Sequence, residues 1–490
     1  MNHERGPRHT IIKNRFSLAA TLFFGLLFMI LIGFRTGVWN REKRAPALTA
    51  TEITAKDTWM SILQRNRKIG YTHRMLTPSE TGFSLTEVTY MKLNVMGMAQ
   101  EIFVETGGSL DKSFALSSFN FSLKSGLFQF IAYGGVKEKN LIIYINGKRT
   151  VIPIDEAIHL SAGMVEAAWS KGLKPGDSKT IDIFDPSTLS KRPVTITVAG
   201  KETVKIMGEK IPSTKLLIDF MGTQQSAWMD DMGEIVKEEG LLSLSLERTD
   251  KEKALSGISD KPMDDVIDLA SVKPDKAIKR PENLKKLIVK IGGLKTSMDL
   301  DGGRQTYRDG LLTITRESPA DLNAASGHPD LSAYLRPEPF IQSDHPEIVT
   351  IARKITDGSQ TDLDKALKIL EWMNQTIEKR PVVSIPDALT TLQNKTGDCN
   401  EHAVLAAAIA RAAQLPADIE SGVVYMKGVF FYHAWNRLYI GNAWVTFDAA
   451  LNQFPADVTH IRLVQGGLEK QMDLISVIGK MTLSIMGDGE

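Results

Sequence analysis

From about Lys68 to Arg248 the chain repeats with a period of two. Phe83-Ser84-Leu85-Thr86-Glu87-Val88, Phe119-Asn120-Phe121-Ser122-Leu123, Leu127 to Tyr133, Asn140 to Ile145, Val194 to Val198 and Lys215 to Phe220 are alternating, β-rich runs. Successive strand residues face opposite sides, so each run buries one face of a sheet and wets the other. Trp228 to Val236 has the pattern of a further hairpin, and Ala157 to Lys171 that of an interrupting helix. The predicted architecture is a mostly antiparallel sheet, curved or barrel-like. No cluster of titratable residues stands out along it, and its alternating aromatics read as core. A spacer or substrate-presenting domain is the expected role.

The pattern changes at Thr249 to Asn283, which is rich in lysine, aspartate and proline and reads as a linker. A short β-rich segment, Leu287 to Thr315, follows. Leu363, Ala366, Leu367, Leu370, Met373 and Ile377 then recur at helical spacing. They predict a helix from Thr361 to Lys379 with one buried stripe, packed on the sheet that carries His433. Towards the end, Leu468 to Ile478 reads as helical, and the apolar run Met481 to Met486 is too short to span a bilayer.

Phe16 to Phe34 is uncharged and apolar, long enough for one membrane crossing. Arg5, Arg8, Lys13 and Arg15 precede it and favour a cytoplasmic N-terminus. Arg35, Arg41, Lys43 and Arg44 follow and disfavour cleavage just after the apolar run, so the expectation is an uncleaved signal anchor, with cleavage at Ala45-Pro46-Ala47 the alternative. The bulk of the chain is then placed outside the cytoplasm, in the periplasm of a Gram-negative cell. The net charge of +1 offers no basic field for nucleic acid. With neither a Gly-rich phosphate loop nor a paired Cys/His cluster, no cofactor or metal is expected.

The chain has a single cysteine. An exported protein with one thiol cannot use it for an internal disulfide, and an odd thiol in an oxidising compartment is a liability unless it is used. Cys399 sits in Thr396-Gly397-Asp398-Cys399-Asn400-Glu401-His402-Ala403, where a glycine turn runs into an alanine-rich helix. A helix N-terminus favours the thiolate, the nucleophilic form. Asp398 and Glu401 fit a helix cap with its partner three residues on. Their charges oppose the thiolate, so an ion pair with His433 would have to prevail. His402 shares a helix face with Cys399 but is expected as a surface residue of the first turn.

Downstream, His433 to Ile440 and Ala443 to Asp448 flank Gly441-Asn442, the signature of a two-residue hairpin. Counting back from that loop opposes Ile440 to Ala443, Tyr439 to Trp444, Arg437 to Thr446 and Trp435 to Asp448. His433 is then the diagonal neighbour of Asp448 on one face, within reach of a hydrogen bond. The other face collects Ala434, Leu438, Ile440, Ala443, Val445 and Phe447 and looks towards a core, with Asn436 the one polar exception. A thiol at a helix start, an imidazole to take its proton and a carboxylate to fix the imidazole tautomer make a nucleophile, base and orienter set.

Gly397-Asp398-Cys399, His433-Ala434-Trp435 and Trp444-Val445-Thr446-Phe447-Asp448 resemble the three ordered motif blocks of the transglutaminase-like superfamily. The resemblance implies an α+β fold: a papain-like core, its cysteine on a helix packed against an antiparallel sheet, here preceded by the β domain and one N-terminal transmembrane helix. By the same carry-over Cys399 is the nucleophile, His433 the general base and acid, and Asp448 the orienter. Members commonly place a carboxylate where this chain has Arg437 and a proline where it has Ala449.

The expected division is a cytoplasmic tail (1–15), a membrane anchor (16–34), a β-rich extracytoplasmic domain (50–248), a linker (249–283) and a transglutaminase-like domain (284–490, core 346–464). The expected activity is peptidase or amidase chemistry through a thioester, on a peptide, an envelope protein or a cell-wall peptide. The alternatives are a non-catalytic assembly protein that keeps the core as scaffold, and a protein cross-linking transglutaminase.

Overall fold

The alternating region forms a single sheet of fifteen strands. They are β1 (Lys56–Gln64), β2 (Arg67–Pro78), β3 (Gly82–Val95), β4 (Met98–Asp111), β5 (Leu116–Ser125), β6 (Phe128–Lys137), β7 (Asn140–Ile145), β8 (Lys148–Pro153), β9 (Ile158–Leu160), β10 (Ser178–Asp185), β11 (Ser190–Ile206), β12 (Glu209–Phe220), β13 (Thr223–Met229), β14 (Ile235–Glu239) and β15 (Leu244–Thr249). The computed structural model describes residues 55–489 except 146, 170–171, 241–242, 260–264, 266–269, 295–297 and 319–329. The expected anchor at 16–34 lies outside the described residues, and no helix among them is long and apolar enough to cross a membrane.

Neighbouring strands pair in order from β8 back to β1, then through β15 down to β9, and β1 joins the two runs. Every pairing is antiparallel except that of β9 with β10. Phe119 of β5 meets Phe184 of β10 edge-on at 5.1 Å, although many strands separate them in the sheet, so the sheet rolls upon itself. The alternation decides what goes inside: Phe119, Phe121 and Leu123 of β5 are buried while Asn120 and Lys124 face water.

The helix expected near Ala157 to Lys171 is shorter. Ile158–Leu160 is the strand β9, a 3₁₀ turn follows, and α1 covers Met164–Trp169. The parallel partner β10 is remote in sequence, which is why local pattern missed the strand.

Between the sheet and the C-terminal part lies α2 (Lys251–Leu255). The expected linker also carries Val272, whose backbone exchanges hydrogen bonds with Phe430, and Ile278, whose N–H donates to Tyr425 Oη.

Two small antiparallel sheets build the C-terminal part. One holds β16 (Lys286–Gly292), β17 (Gln305–Arg308) and β18 (Leu311–Thr315), with the last strand of the chain at its edge. Then come α3 (Pro346–Thr356), α4 (Asp362–Thr376), β19 (Glu378–Lys379), α5 (Ala388–Asn394), β20 (Thr396–Gly397) and α6 (Cys399–Ala412). The other sheet contains β21 (Ala417–Met426), β22 (Val429–Ile440), β23 (Ala443–Phe447) and β24 (Ile461–Gln465), in the order β23-β22-β21-β24. The helix α7 (Leu468–Gln471) and a 3₁₀ turn precede β25 (Thr482–Gly489), so the apolar run Met481 to Met486 is mostly the strand that pairs with β16.

The predicted helix 361–379 is α4. It starts on a capping box at Thr361 and stops at Thr376, because Glu378 and Lys379 go extended to pair with Thr396 and Gly397. It packs on α3 and α6 and touches β22. The central helix α6 lies on β22 and β21, with α3, α4 and α5 on its other sides. Its alanines permit that close approach, and every residue from Cys399 to Arg411 is buried.

The rolled sheet docks on this part through polar and aromatic contacts. Lys148 pairs with Asp344 at 2.8 Å, Phe130 meets Phe340 at 6.0 Å and Arg192 reaches Asp473 at 3.4 Å.

Candidate active site

The cysteine is set by a tight entry into α6. A side chain at Gly397 would put its Cβ 2.3 Å from Glu401 Cβ, so only glycine lets the chain turn there. Asp398 then caps the helix, accepting from the Asn400 N–H at 2.9 Å, while Glu401 Oε2 accepts from the Asp398 N–H at 2.9 Å. The capping box read from sequence is present. Both carboxylates are buried, and burial together with Glu401 pushes the Asp398 carboxyl well above its ordinary range.

The Gly441-Asn442 loop fixes the register of β22 on β23. Ile440 opposes Ala443, Tyr439 opposes Trp444 and Arg437 opposes Thr446, as the sequence implies. The ladder stops at Asn436 and Phe447, so Trp435 and Asp448 are not ladder partners. Asp448 instead exchanges backbone bonds with Gln453. Its carboxylate still turns towards β22, and His433 Nε2 lies 2.5 Å from Asp448 Oδ2. Asn436, the exception on the core face, donates to the carbonyl of Ala403 at 2.9 Å and so ties β22 to α6.

A second imidazole shares this carboxylate. His460 Nε2 lies 2.9 Å from Asp448 Oδ2, and its Nδ1 lies 3.4 Å from Asp457 Oδ1. All three of His433, Asp448 and His460 are buried. Burial works against a charge on His460, but the bonds to Asp448 and Asp457 prevail and raise it to about 9. Burial likewise opposes ionisation of Asp448, and His433 and His460 outweigh it, holding the carboxyl well below its ordinary range. On His433 burial dominates over Asp448 and keeps the ring neutral.

The pattern is therefore an ionised Asp448, a protonated His460 and a neutral His433 whose Nε2–H donates to Asp448. The lone pair of His433 Nδ1 is left free, and that atom is buried with no hydrogen-bond partner. The three residues offer donor atoms within 4.8 Å of one another, a set able to hold a metal ion in other protonation states.

The loop that brings His460 in is held by Arg304, whose guanidinium donates to the carbonyls of Ala456 at 2.6 Å, Asp457 at 2.8 Å and His460 at 3.0 Å. Trp435 lies edge-on to the His460 ring at 5.2 Å and gives its indole N–H to Glu420 at 2.8 Å.

Cys399 lies beside this group. The backbone N–H of Ala434, the residue after His433, faces its sulfur. It is 1% exposed, and burial with the charges of Asp398, Glu401 and Asp448 pushes the thiol well above its ordinary range. The resting residue is a thiol. The helix start alone does not make it a thiolate, contrary to the expectation drawn from position. Lys379 faces the same site, its ammonium donating to the Ala450 carbonyl at 2.6 Å. Burial lowers it to about 8 against the pull of Asp448, Cys399 and Asp398.

His402, expected at the surface, is buried, with Nδ1 2.6 Å from the Asp398 carbonyl. Burial lowers it to about 4, so it is neutral and structural. Sequence reasoning missed Lys379 and His460. Neither carries a local signal, since each reaches the site through contacts across the fold.

Residues 349–449 match the model of the transglutaminase-like superfamily. No curated protein matches the chain. Similar solved structures include a candidate cysteine protease from Cytophaga hutchinsonii, 18% identical over 40% of this chain and 83% of that one, with a TM-score of 0.28. A β-barrel-like protein of a domain of unknown function from Brucella abortus is 8% identical over 41% of this chain and 100% of its own, with a TM-score of 0.31. The periplasmic domain of TgpA from Pseudomonas aeruginosa is 15% identical over 37% of this chain and 75% of its own, with a TM-score of 0.25.

Proposed function

We propose that the transglutaminase-like core is a cysteine enzyme acting on amide carbonyls, with Cys399 as nucleophile, His433 as base and acid, and Asp448 as orienter. The observation that carries this reading is the His433–Asp448 bond of 2.5 Å, which leaves the Nδ1 lone pair free on the strand whose Ala434 N–H faces Cys399. In the reaction, Sγ bonds to the carbonyl carbon as its proton passes to His433 Nδ1. The C–N bond breaks and His433 returns the proton to the leaving amine. Water then attacks the thioester, giving the carboxylate and restoring the thiol. Asp398 already takes the N–H groups of Asn400 and Glu401, so the Cys399 N–H is the donor at the start of α6 that suits a developing oxyanion.

Hydrolysis of a peptide, an envelope protein or a cell-wall peptide is the preferred outcome, on the membrane-anchored, extracytoplasmic placement inferred for 16–34. A reporter fused after Arg248 that is active only in the cytoplasm would refute that placement.

The burial of Cys399 supports a second reading, in which the core is a scaffold and no turnover occurs. Labelling with iodoacetamide separates the two. For an enzyme, Cys399 of the native full chain is modified, and His433→Ala slows it by about tenfold or more. For a scaffold, native and His433→Ala proteins label equally slowly, and only unfolding exposes the thiol.

A further inference from the structure

Three donor groups converge on one point behind the nucleophile. His433 on β22, Asp448 just past β23 and His460 just before β24 bring donor atoms within 4.8 Å of one another, and all three residues are buried. They come from separate stretches of chain, so no paired Cys/His cluster in the sequence announces them. Two imidazoles and a carboxylate are the donors that Zn²⁺ takes, whereas Mg²⁺ and Ca²⁺ prefer oxygen alone.

The donors are also oriented from behind. Asp448 Oδ1 accepts from the Leu451 N–H at 2.8 Å, which leaves Oδ2 for the shared point. His460 Nδ1 lies 3.4 Å from Asp457 Oδ1, and that oxygen accepts from the Thr459 hydroxyl at 2.6 Å. A carboxylate behind a ligating histidine takes its Nδ1–H and turns the Nε2 lone pair to the metal. Hydrogen bonding sets His433 Nε2 at 2.5 Å and His460 Nε2 at 2.9 Å from Asp448 Oδ2. Ligand atoms around a tetrahedral zinc ion stand about 3.3 Å apart, so the side chains need to part by less than about 1 Å.

We propose that His433, Asp448 and His460 form a reversible Zn²⁺ site, bound through His433 Nε2, Asp448 Oδ2 and His460 Nε2, with Asp457 orienting His460. The ion replaces a proton. On binding, His460 loses its Nε2 proton to solvent, while the His433 proton moves from Nε2 to Nδ1. One proton leaves per ion, and the metal-free protein is the form in which His460 is protonated. The functional consequence rests on the proposed reaction: Nδ1 is the atom that receives the thiol proton, so the loaded site is switched off.

The test is calorimetric titration of the chelator-treated full chain at pH 7.5 with ZnCl₂, repeated in buffers of different ionisation enthalpy. One equivalent should bind with release of about one proton, and MgCl₂ should not bind. Asp457→Asn should weaken Zn²⁺ binding about 10- to 100-fold, His460→Gln should weaken it further, and Cys399→Ala should leave it unchanged. No binding, affinity unmoved by both Asp457→Asn and His460→Gln (an adventitious ion only), or loss of binding in Cys399→Ala overturns the proposal. Co²⁺ bound to the unaltered chain decides even where a variant fails to fold: the absorption of a four-coordinate ion without thiolate charge transfer supports the site, and that of a six-coordinate ion overturns it. Iodoacetamide labelling separates this inference from the reaction it builds on. Labelling that depends on His433 should slow with Zn²⁺ and recover with chelator, and labelling that Zn²⁺ leaves unchanged overturns the switch. Labelling that never depends on His433 removes the reaction, while the titration still decides the metal site.

Discussion

Replacing His460 by glutamine removes a buried imidazolium while keeping a side chain that can donate to Asp448. The size of the effect follows from linkage. A histidine at 6.5 in the unfolded chain is held at about 9 in the fold, and at about 1.4 kcal/mol per unit this is worth about 3 kcal/mol. The gain is shared with Asp448 and Asp457, so it is counted once. His460 is raised, not lowered, so its contribution is fully present below pH 6.5 and disappears as pH climbs through about 9. The assay is urea unfolding of the native chain and of His460→Gln at half-unit steps from about pH 5.5 to 9.5. The stability gap should be near 3 kcal/mol at the acidic end, narrow by about 1.4 kcal/mol per unit above pH 6.5, and leave only a packing residue at the alkaline end. A gap that stays constant across this range would refute a protonated His460.

Other sites give sharper structural tests. Arg462 pairs with the buried Glu420 at 3.2 Å, and Glu420 also holds the Trp435 indole, so Arg462→Met should cost about 3 to 5 kcal/mol in chemical unfolding by stranding that carboxylate. In Gly422→Ala the new Cβ would lie 2.0 Å from the Ile461 carbonyl, so β24 should detach and the protein should lose its cooperative transition, while Gly428→Ala, exposed but at φ +91°, should cost more than about 1 kcal/mol and keep that transition. Arg437 stacks 4.2 Å over Trp444 and pairs with Asp418 at 2.8 Å. Arg437→Lys should lose the stacking and about 1 kcal/mol, read from the unfolding midpoint. Asp448→Asn keeps the shape but removes the acceptor that sets the His433 tautomer, so on the proposed chemistry Cys399 labelling should fall towards that of His433→Ala.

What the sequence disclosed and what it hid divide by the range of the interaction. The hairpin around Gly441-Asn442 is local, and its register carried over pair by pair from Ile440↔Ala443 to Arg437↔Thr446. The capping box at Asp398 and Glu401 is equally local. Asn140 to Ile145 is a strand with the expected ends, since turns bound it on both sides. Where a distant partner decided the outcome, the local reading fell short. Lys379 left its helix because Gly397 offered a parallel neighbour, and His402 went inside because α6 is packed on every side. His460 had no periodicity to announce it. It becomes visible only when strands far apart in the chain stand side by side.

The protonation pattern of the site explains why an extra imidazole stands behind the one expected. Asp398, Glu401 and Asp448 all face the sulfur of Cys399 and disfavour its ionisation. On the proposed chemistry, a lone Asp448 carboxylate would fix the His433 tautomer but add a full charge against the sulfur at the moment its own charge develops. With His460 protonated at its back, the carboxylate still accepts from His433 while its field at the sulfur is largely cancelled. Lys379, inside the same group, opposes the remaining carboxylates. The arrangement suits a neutral thiol and a neutral imidazole that exchange their proton only as the carbonyl is attacked, so no separated ion pair has to be sustained in a buried site. On that chemistry His460→Gln should weaken the reaction as well as the fold, and the reactivity of Cys399 should decline from about pH 8 upward as Lys379 and then His460 give up their protons.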